Sequence, residues 1–223
     1  MTQTFRDYSR RDLLRLIGIA GGTIATGTVA QLLAQSGMLP ETPNLTLGPF
    51  YPLTKPLDQD ADLTMIRGHH QRASGQVIHL SGRVLDHTGR PVRDARVEIW
   101  QANSFGRYAH HSDPNTSAVL DQNFQGYGVQ RTDSEGRYRF KTVKPAPYPA
   151  PEGDWIRAPH IHFDLQAKFD RKVTQMFFPG EPLNAQDRLL QGIRHHREAL
   201  IASVSRVGAD EWLVTWDITL ASG

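Results

Sequence analysis

The sequence contains no cysteine. This absence excludes disulfide bonds, thiolate metal sites, a cysteine nucleophile and a lipidated cysteine anchor. Aromatic residues are also few, at 9%, while the hydrophobic fraction of 39% is that of a soluble globular protein. The 223 residues are enough for one domain of ordinary size preceded by a leader segment.

The chain also lacks a general excess of positive charge, although its sequence pI is about 9.0. Residues 1–34 contain four arginines and two aspartates, and without them the 25 basic and 23 acidic residues become 21 of each. The rest of the chain is therefore formally neutral. Composition gives no reason to expect a nucleic-acid partner.

The N-terminal segment has the pattern of an export signal. Arg10 and Arg11 precede an uncharged stretch over residues 16–40 that is rich in glycine, alanine and threonine and only weakly apolar. A pair of arginines before such a stretch is typical of the twin-arginine export route. A membrane anchor is the alternative, and the length would permit it, but the five glycines of this stretch make a poor spanning helix.

These features predict the organisation of the chain. We expect residues 1–40 to be a twin-arginine signal peptide with its linker, and residues 41–223 to form a single folded domain. The mature protein is then expected outside the cytoplasm, in the periplasm or the extracellular medium. The twin-arginine route suits a protein that folds before it leaves the cytoplasm.

The body of the chain predicts an all-β fold. From Gly75 onward, short runs with a period of two alternate with glycine- and proline-containing turns, and in the first run Ile78, Leu80 and Val84 share one face. Three further strands are predicted, over residues 95–100, 138–140 and 212–220. The pattern indicates a β-sandwich of antiparallel and mixed strands with long loops. One short helix is expected near residues 184–204, with Asn184 as its cap.

Two histidines separated by one residue stand in the stretch 159–163. On a strand, side chains two residues apart project to the same face, so His160 and His162 lie about 7 Å apart while Ile161 faces the core. Two imidazoles placed in this way can bind one metal ion. The pattern by itself is a weak signal, because two ordinary core or surface histidines would have the same spacing.

Two tyrosines strengthen the interpretation of a metal site. Tyr108 stands where the predicted strand over residues 95–100 gives way to a loop. Tyr148 lies between Pro147 and Pro149, in a rigid segment that cannot be a central strand. Taken alone, both tyrosines are equally well explained as half-buried structural residues.

Six motifs occur in order along most of the chain. They are Leu-Gly-Pro-Phe-Tyr at 47–51, Ser-Gly-Arg-Val at 81–84, Val-Glu-Ile-Trp-Gln-Ala-Asn at 97–103, Asn-Phe-Gln-Gly at 123–126, Pro-His-Ile-His-Phe at 159–163 and Thr-Gln-Met-Phe-Phe at 174–178. Through these motifs the chain resembles the intradiol ring-cleavage dioxygenases, most of all the protocatechuate 3,4-dioxygenase type.

The resemblance implies an Fe(III) cofactor, one per active chain, and a set of residues that serve it. The two tyrosine and two histidine ligands of the family fall on Tyr108, Tyr148, His160 and His162. Tyr148 is also the ligand expected to dissociate when substrate binds. The active-site arginine falls on Arg157, and the glutamine near the reacting ring falls on Gln175.

The resemblance also implies the reaction and the partners. The expected reaction uses O₂ to split a catechol-type ring between its two hydroxyls, giving a cis,cis-muconate-type diacid. Protocatechuate, catechol and hydroxyquinol-like compounds all remain candidates, with Tyr51, Tyr127 and Trp155 as candidate substrate-binding residues. The chain resembles the ligand-bearing beta-type subunit of the protocatechuate enzymes, so a homo-oligomer and a complex with a second, non-catalytic subunit are both open.

Two other functions fit parts of the sequence. His160, His162 and Asp164 alternate along one strand face and could form a ferrous site of two histidines and one carboxylate. Residues 82–100 also resemble a small transthyretin-like binding module without catalytic function. That module would explain the strands, but not the His-x-His motif or the prolines around Tyr148.

Overall fold

The computed structural model describes residues 37–207 and 211–222. The expected leader over residues 1–40 therefore lies almost entirely outside the described residues. In the described part, the elements are the strands β1 Val77–Asp86, β2 Arg96–Trp100, β3 Tyr127–Arg131, β4 Arg137–Val143, β5 Tyr148–Pro149, β6 Ile156–Arg157, β7 His160–Gln166, β8 Arg171–Phe177, β9 Ser203–Arg206, β10 Glu211–Thr215 and β11 Ile218–Leu220, the helix α1 Arg188–Gly192, and two 3₁₀ turns, Pro182–Ala185 and Arg197–Leu200.

The first sheet is built around the long strand β1. Strand β4 pairs with one edge of β1 in antiparallel fashion, while β10 and then β11 pair with the other edge in parallel fashion. Strand β9 extends the sheet by pairing with β10. The sheet is therefore mixed, as the sequence predicted.

The prediction of a single long strand over residues 212–220 is wrong, because this segment forms two strands, β10 and β11, with an interruption between them. At the break the backbone of Trp216 donates a hydrogen bond to the Ser81 carbonyl, 2.9 Å away. A side chain on Gly82 would overlap the Trp216 carbonyl. The chain thus crosses close to the backbone of β1 at a residue without a side chain, and this contact ends β10.

The second sheet has the order β3-β2-β7-β8 and is antiparallel throughout. Alternation along β7 places Ile161, Phe163 and Leu165 in the core between the sheets, which confirms the predicted inner face. The ring of Phe163 packs on that of Trp216 beside the first sheet, with the centroids 4.9 Å apart. The opposite face of β7 carries the two histidines, so the site lies on the outer side of this sheet.

The predicted fold class is confirmed, since the two large sheets enclose the main hydrophobic core and the helical content is small. The short helix near residues 184–204 is also present, but its predicted cap is wrong. Asp187 caps α1 by accepting hydrogen bonds from the backbone of Leu189 and Leu190, while Asn184 lies inside the preceding 3₁₀ turn. No helix in the part of the chain described is both long and apolar enough to cross a membrane.

Candidate active site

Four side chains from three separate parts of the chain meet on the outer face of the second sheet. The Tyr108 hydroxyl lies 3.4 Å from the Tyr148 hydroxyl, which lies 3.2 Å from Nε2 of His160. Nε2 of His160 lies 3.2 Å from Nε2 of His162. No side chain of the four is more than 4% exposed. The structure thus brings together two phenol oxygens and two imidazole nitrogens that could bind one cation.

The second sheet and a glycine hold His162 in place. Strand pairing places His162 opposite Trp100 on β2 and opposite Gln175 on β8. The Trp100 ring stacks on the imidazole, with the centroids 4.8 Å apart and the planes 14° apart. The backbone of Gly48, at φ +72°, passes so close that an added Cβ would lie 3.1 Å from Cε1 of His162. The imidazole is therefore confined by these neighbours.

A backbone carbonyl sets the protonation of His160. Its Nδ1 lies 2.6 Å from the carbonyl oxygen of Ala158. Because a carbonyl only accepts hydrogen bonds, Nδ1 carries the proton and Nε2 carries the lone pair. The lone pair is then free at the atom that faces Tyr148 and His162. A backbone carbonyl in this position is a common way to orient a metal-binding histidine.

The two tyrosines are positioned by different elements. Tyr108 lies in the loop after β2, where its backbone N–H donates to Oδ2 of Asp113 at 2.7 Å. Its ring packs on Phe50, with the centroids 4.6 Å apart. Tyr148 lies on β5, which forms a two-residue ribbon with β6 and places it directly opposite Arg157.

Arg157 is buried beside the four donor atoms without being one of them. Its Nη1 lies 3.5 Å from the Tyr148 hydroxyl, and its Nη2 donates to Oε1 of Gln175 at 2.6 Å. Its Nε donates to Oδ2 of Asp187 at 2.9 Å. Gln175 is itself fixed, since its amide nitrogen donates to the Thr46 carbonyl at 3.0 Å. The guanidinium is thus held rigidly next to the hydroxyl of Tyr148.

The environment shifts the pKa of each of the four donor groups. Burial, reinforced by the nearby Arg157, lowers the pKa of His160 and His162 well below the ordinary histidine value, so both are neutral at neutral pH. Burial raises the pKa of Tyr108 well above its ordinary value and also raises the pKa of Tyr148. Neutral imidazoles are ready to bind a metal, whereas the phenols need a cation to lose their protons.

The donor set fits a ferric ion. Phenolate oxygens are hard anionic ligands, and such ligands favour Fe(III) over Fe(II). The alternative site of His160, His162 and Asp164 is not formed, since no group of three or more His, Cys, Asp or Glu side chains in residues 37–207 and 211–222 is placed to hold a metal. Asp164 instead accepts from Nε and Nη2 of Arg171, at 3.0 and 2.9 Å.

The three candidate substrate-binding residues lie around the four donor side chains. The hydroxyls of Tyr51 and Tyr127 both donate to the buried carboxylate of Glu98, at 3.1 and 2.6 Å. Tyr127 lines a cavity of about 340 Å³ that is also bounded by Tyr108 and by Trp100. Tyr51 packs against the edge of Trp100, with the centroids 4.9 Å apart.

Trp155 lies on the other side, with its ring centroid 5.6 Å from the guanidinium carbon of Arg157. All three candidates therefore contact residues that surround the four donors.

Sequence reasoning missed two residues that shape the site. Asp187, which holds Arg157, precedes a Leu-Leu pair, and an aspartate in that position is a signal for a helix cap. Trp100, which stacks on His162, belongs to the motif at residues 97–103. Nothing in the sequence of that motif predicts the stacking contact.

The chain is similar to known proteins in its sequence and in its fold. The sequence profile of the family described as "Dioxygenase" matches residues 47–222. The protocatechuate 3,4-dioxygenase beta chain of Burkholderia cepacia is 48% identical over 136 residues, which cover 60% of this chain and 57% of the relative. The hydroxyquinol 1,2-dioxygenase of Rhizobium sp. (strain MTP-10005) is 31% identical over 175 residues, which cover 72% of this chain and 54% of the relative.

A solved structure has the same fold. The dioxygenase domain of a dioxygenase–carbohydrate-binding protein fusion from Streptomyces sp. SirexAA-E superposes with a TM-score of 0.63 at 26% sequence identity, covering 82% of this chain and 100% of that one.

The fold and the profile together define a β-sandwich dioxygenase. The chain belongs to this dioxygenase family. It spans 57% and 54% of the length of the Burkholderia and Rhizobium relatives.

Proposed function

We propose that this chain is a non-haem Fe(III) intradiol dioxygenase that cleaves a catechol-type ring between its two hydroxyl-bearing carbons. Both atoms of O₂ enter the product, the carbon–carbon bond between the hydroxyls breaks, and a cis,cis-muconate-type diacid results. The observation that carries the proposal is the convergence of Tyr108, Tyr148, His160 and His162 beside the buried cation of Arg157.

The iron would be held by those two tyrosines and two histidines. When bound, a ferric ion supplies a centre that takes both catechol oxygens and activates the ring toward O₂. The histidines are neutral before binding, and the phenols become phenolates on binding. Tyr148 would be the ligand that dissociates when substrate binds and takes up a proton from a substrate hydroxyl, and its oxygen lies 3.5 Å from Nη1 of Arg157.

Arg157 supplies a fixed positive charge. Its guanidinium is oriented by Asp187 and Gln175 and touches the Tyr148 hydroxyl. Negative charge that develops on the substrate during cleavage is stabilised by a cation that is already in place and needs no reorganisation. Gln175 contributes by holding that cation and lies opposite His162 on the neighbouring strand.

Colour and iron content test this proposal directly. Phenolate coordinated to Fe(III) absorbs visible light, so the purified iron protein should be red to burgundy. Asp164→Asn serves as the control, because its carboxylate is bound by Arg171 and it should leave the colour unchanged. A colourless iron protein that needs added Fe(II), and that loses its metal in Asp164→Asn, would overturn the ferric assignment.

The substrate is to be identified among anionic and neutral catechols. The Burkholderia relative is named for protocatechuate and the Rhizobium relative for hydroxyquinol. Oxygen uptake should therefore be measured with protocatechuate, catechol and hydroxyquinol, and the product of the best substrate identified by mass. Absence of uptake with every catechol, in protein that contains iron, would contradict ring cleavage.

Assembly and location are further parts of the proposal. The Burkholderia relative is named as a beta chain, which supports either a second, non-catalytic subunit or a homo-oligomer here, and native mass spectrometry of the purified protein distinguishes them.

Export by the twin-arginine route is supported by the sequence before residue 41. Replacing Arg10 and Arg11 by lysine should keep active protein in the cytoplasm, whereas normal export of that double variant would indicate another route.

A further inference from the structure

Asp187 is fully buried, with 0% of its side chain exposed, and both of its carboxylate oxygens are used. Oδ2 accepts from Nε of Arg157 at 2.9 Å and from the backbone N–H of Ala158 at 3.0 Å. Oδ1 accepts from the backbone N–H groups of Leu189 and Leu190, each at 3.1 Å. One carboxylate therefore joins the start of α1 to the segment that precedes His160.

The contacts of Oδ2 reach two parts of the site. One is the guanidinium of Arg157, next to the Tyr148 hydroxyl. The other is Ala158, whose carbonyl accepts from Nδ1 of His160 at 2.6 Å and thereby sets the tautomer of that ring. Asp187 thus holds Ala158, which follows the active-site cation and precedes the first histidine by two residues, although it touches neither the donor atoms nor the cavity beside Tyr108.

We propose that Asp187 is a positioning residue, which fixes the guanidinium of Arg157 and, through Ala158, the hydrogen bond that orients His160. The proposal deepens the function proposed above and rests on it for the catalytic consequence. The helix cap that Asp187 also provides is a separate, structural role.

The charge of Asp187 matters because Arg157 is almost fully buried, at 5% exposure. In the metal-free protein, the other hydrogen-bonding partners described for Arg157 are the uncharged side chains of Gln175 and Tyr148. A buried cation that loses its carboxylate is left uncompensated and tends to move to another partner or towards water. Without the Asp187 carboxylate, the guanidinium should therefore leave its present position beside Tyr148.

The two roles of Asp187 can be separated by substitution. Asparagine caps a helix about as well as aspartate, so Asp187→Asn keeps the cap and removes the charge-assisted hydrogen bond to Arg157. Asp164→Asn is a matched control. Asp164 is equally buried and is bound by an arginine, Arg171, but the structure gives it no hydrogen bond to the site.

The first measurement is kinetic. Asp187→Asn should keep its iron and lose about tenfold to 10²-fold in kcat, since a small misplacement of a catalytic group is enough to cause such a loss. Asp164→Asn should stay within about twofold of the wild type. Combining Asp187→Asn with Arg157→Ala should add no further loss to that of Arg157→Ala alone, because residues that act through one another are not additive.

The second measurement needs neither iron nor turnover. In metal-free protein, the ¹⁵N chemical shifts of the histidine rings report which nitrogen of His160 carries the proton. The Nδ1-protonated form should dominate in the wild type and in Asp164→Asn, and it should be weakened or mixed in Asp187→Asn. This readout separates the two proposals, since it would still hold if the wild type proved not to be a ring-cleaving enzyme.

Several outcomes would overturn the proposal. One is a turnover of Asp187→Asn within about twofold of the wild type. Another is a double variant in which the losses in kcat from Asp187→Asn and Arg157→Ala add fully. A third is a His160 tautomer that is the same in Asp187→Asn as in the wild type. Should Asp187→Asn fail to fold, Asp187→Ser retains a capping side chain and carries the same measurements. Failure of both variants to fold would assign Asp187 a purely structural role and would equally count against the proposal.

Discussion

Tyr148 and Arg157 face one another across a two-residue antiparallel ribbon, with the hydroxyl and the guanidinium 3.5 Å apart. Burial raises the pKa of both Tyr108 and Tyr148, and the positive charge of Arg157 opposes that effect. Of the two phenols, Tyr148 is the one that hydrogen-bonds with this charge.

Replacing Arg157 tests the fixed positive charge. Arg157→Ala should retain iron and lose about 10²–10³ in kcat, the usual cost of one preorganised group that stabilises developing charge. Arg157→Lys should recover only part of the loss, because a single ammonium cannot reproduce the separate hydrogen bonds to Asp187 and Gln175. Iron analysis and oxygen uptake provide the measurement. Arg171→Ala is the control, and near-wild-type turnover of Arg157→Ala would remove this residue from the reaction.

Replacing each tyrosine tests the donor set through the visible spectrum of the iron protein. Tyr108→Phe and Tyr148→Phe each remove one phenol oxygen, so each should weaken or shift the absorption band. Tyr148 is the ligand expected to dissociate, so addition of catechol without oxygen should move the band of the wild type to longer wavelength. Tyr127→Phe, which changes a phenol that donates to Glu98, should leave the band in place. A band that persists unchanged in both ligand variants would contradict tyrosine ligation.

Two glycines with the same backbone conformation test how closely His162 is confined. Gly48 and Gly180 both have φ +72°, but an added Cβ at Gly48 lies 3.1 Å from the imidazole and one at Gly180 meets nothing within 4 Å. Alanine at either position should lower the free energy of unfolding by about 1–2 kcal/mol, the cost of a left-handed backbone. Only Gly48→Ala should also reduce iron affinity, measured by competition with a chelator. Equal iron affinity in the two variants would show that His162 has room to move.

The lowered pKa values of the histidines predict how the metal-free protein responds to acid. In the folded state His160 and His162 stay neutral, whereas in the unfolded chain they take up protons near the ordinary value of about 6.5. Their contribution to stability is therefore complete above about pH 6.5 and is lost as the pH falls below it, by at most about 1.4 kcal/mol per pH unit for each histidine.

Urea unfolding of the metal-free protein between about pH 7.5 and pH 5 measures this slope. The double variant His160→Gln with His162→Gln provides the comparison and should have a shallower slope. An identical dependence in both proteins would mean that the imidazoles are already accessible to protons in the folded state.

Much of the local structure follows from the sequence because it depends on short-range rules. Period-two alternation along the sequence is enough to place Ile161, Phe163 and Leu165 in the core and to put His160 and His162 together on the other face. The prolines around Tyr148 exclude a central strand, and the structure has only a two-residue strand there. The motifs from residue 47 onward indicate the protein family, and the profile match confirms that family.

Two predictions were wrong, one because of a contact with a distant part of the chain and the other because of a neighbouring turn. Apolar and polar residues alternate over residues 212–220 as in one strand. The strand is nevertheless interrupted where Trp216 crosses Gly82 of β1. Asn184 is a good capping residue by type, but the preceding turn places Asp187 at the start of α1 instead.

The sequence by itself therefore determined the β-sandwich class and the two faces of β7, and its resemblance to a known family named the residues of the candidate metal site. Only the tertiary structure decided which of these side chains meet. Strand order brings Tyr108, from the loop after β2, within reach of Tyr148 and of the histidines on β7. It also places Arg171 of β8 on both oxygens of Asp164, which removes that carboxylate from the set of candidate ligands. The physical reason is that alternation fixes the direction of each side chain along a strand, whereas pairing between strands fixes its neighbours.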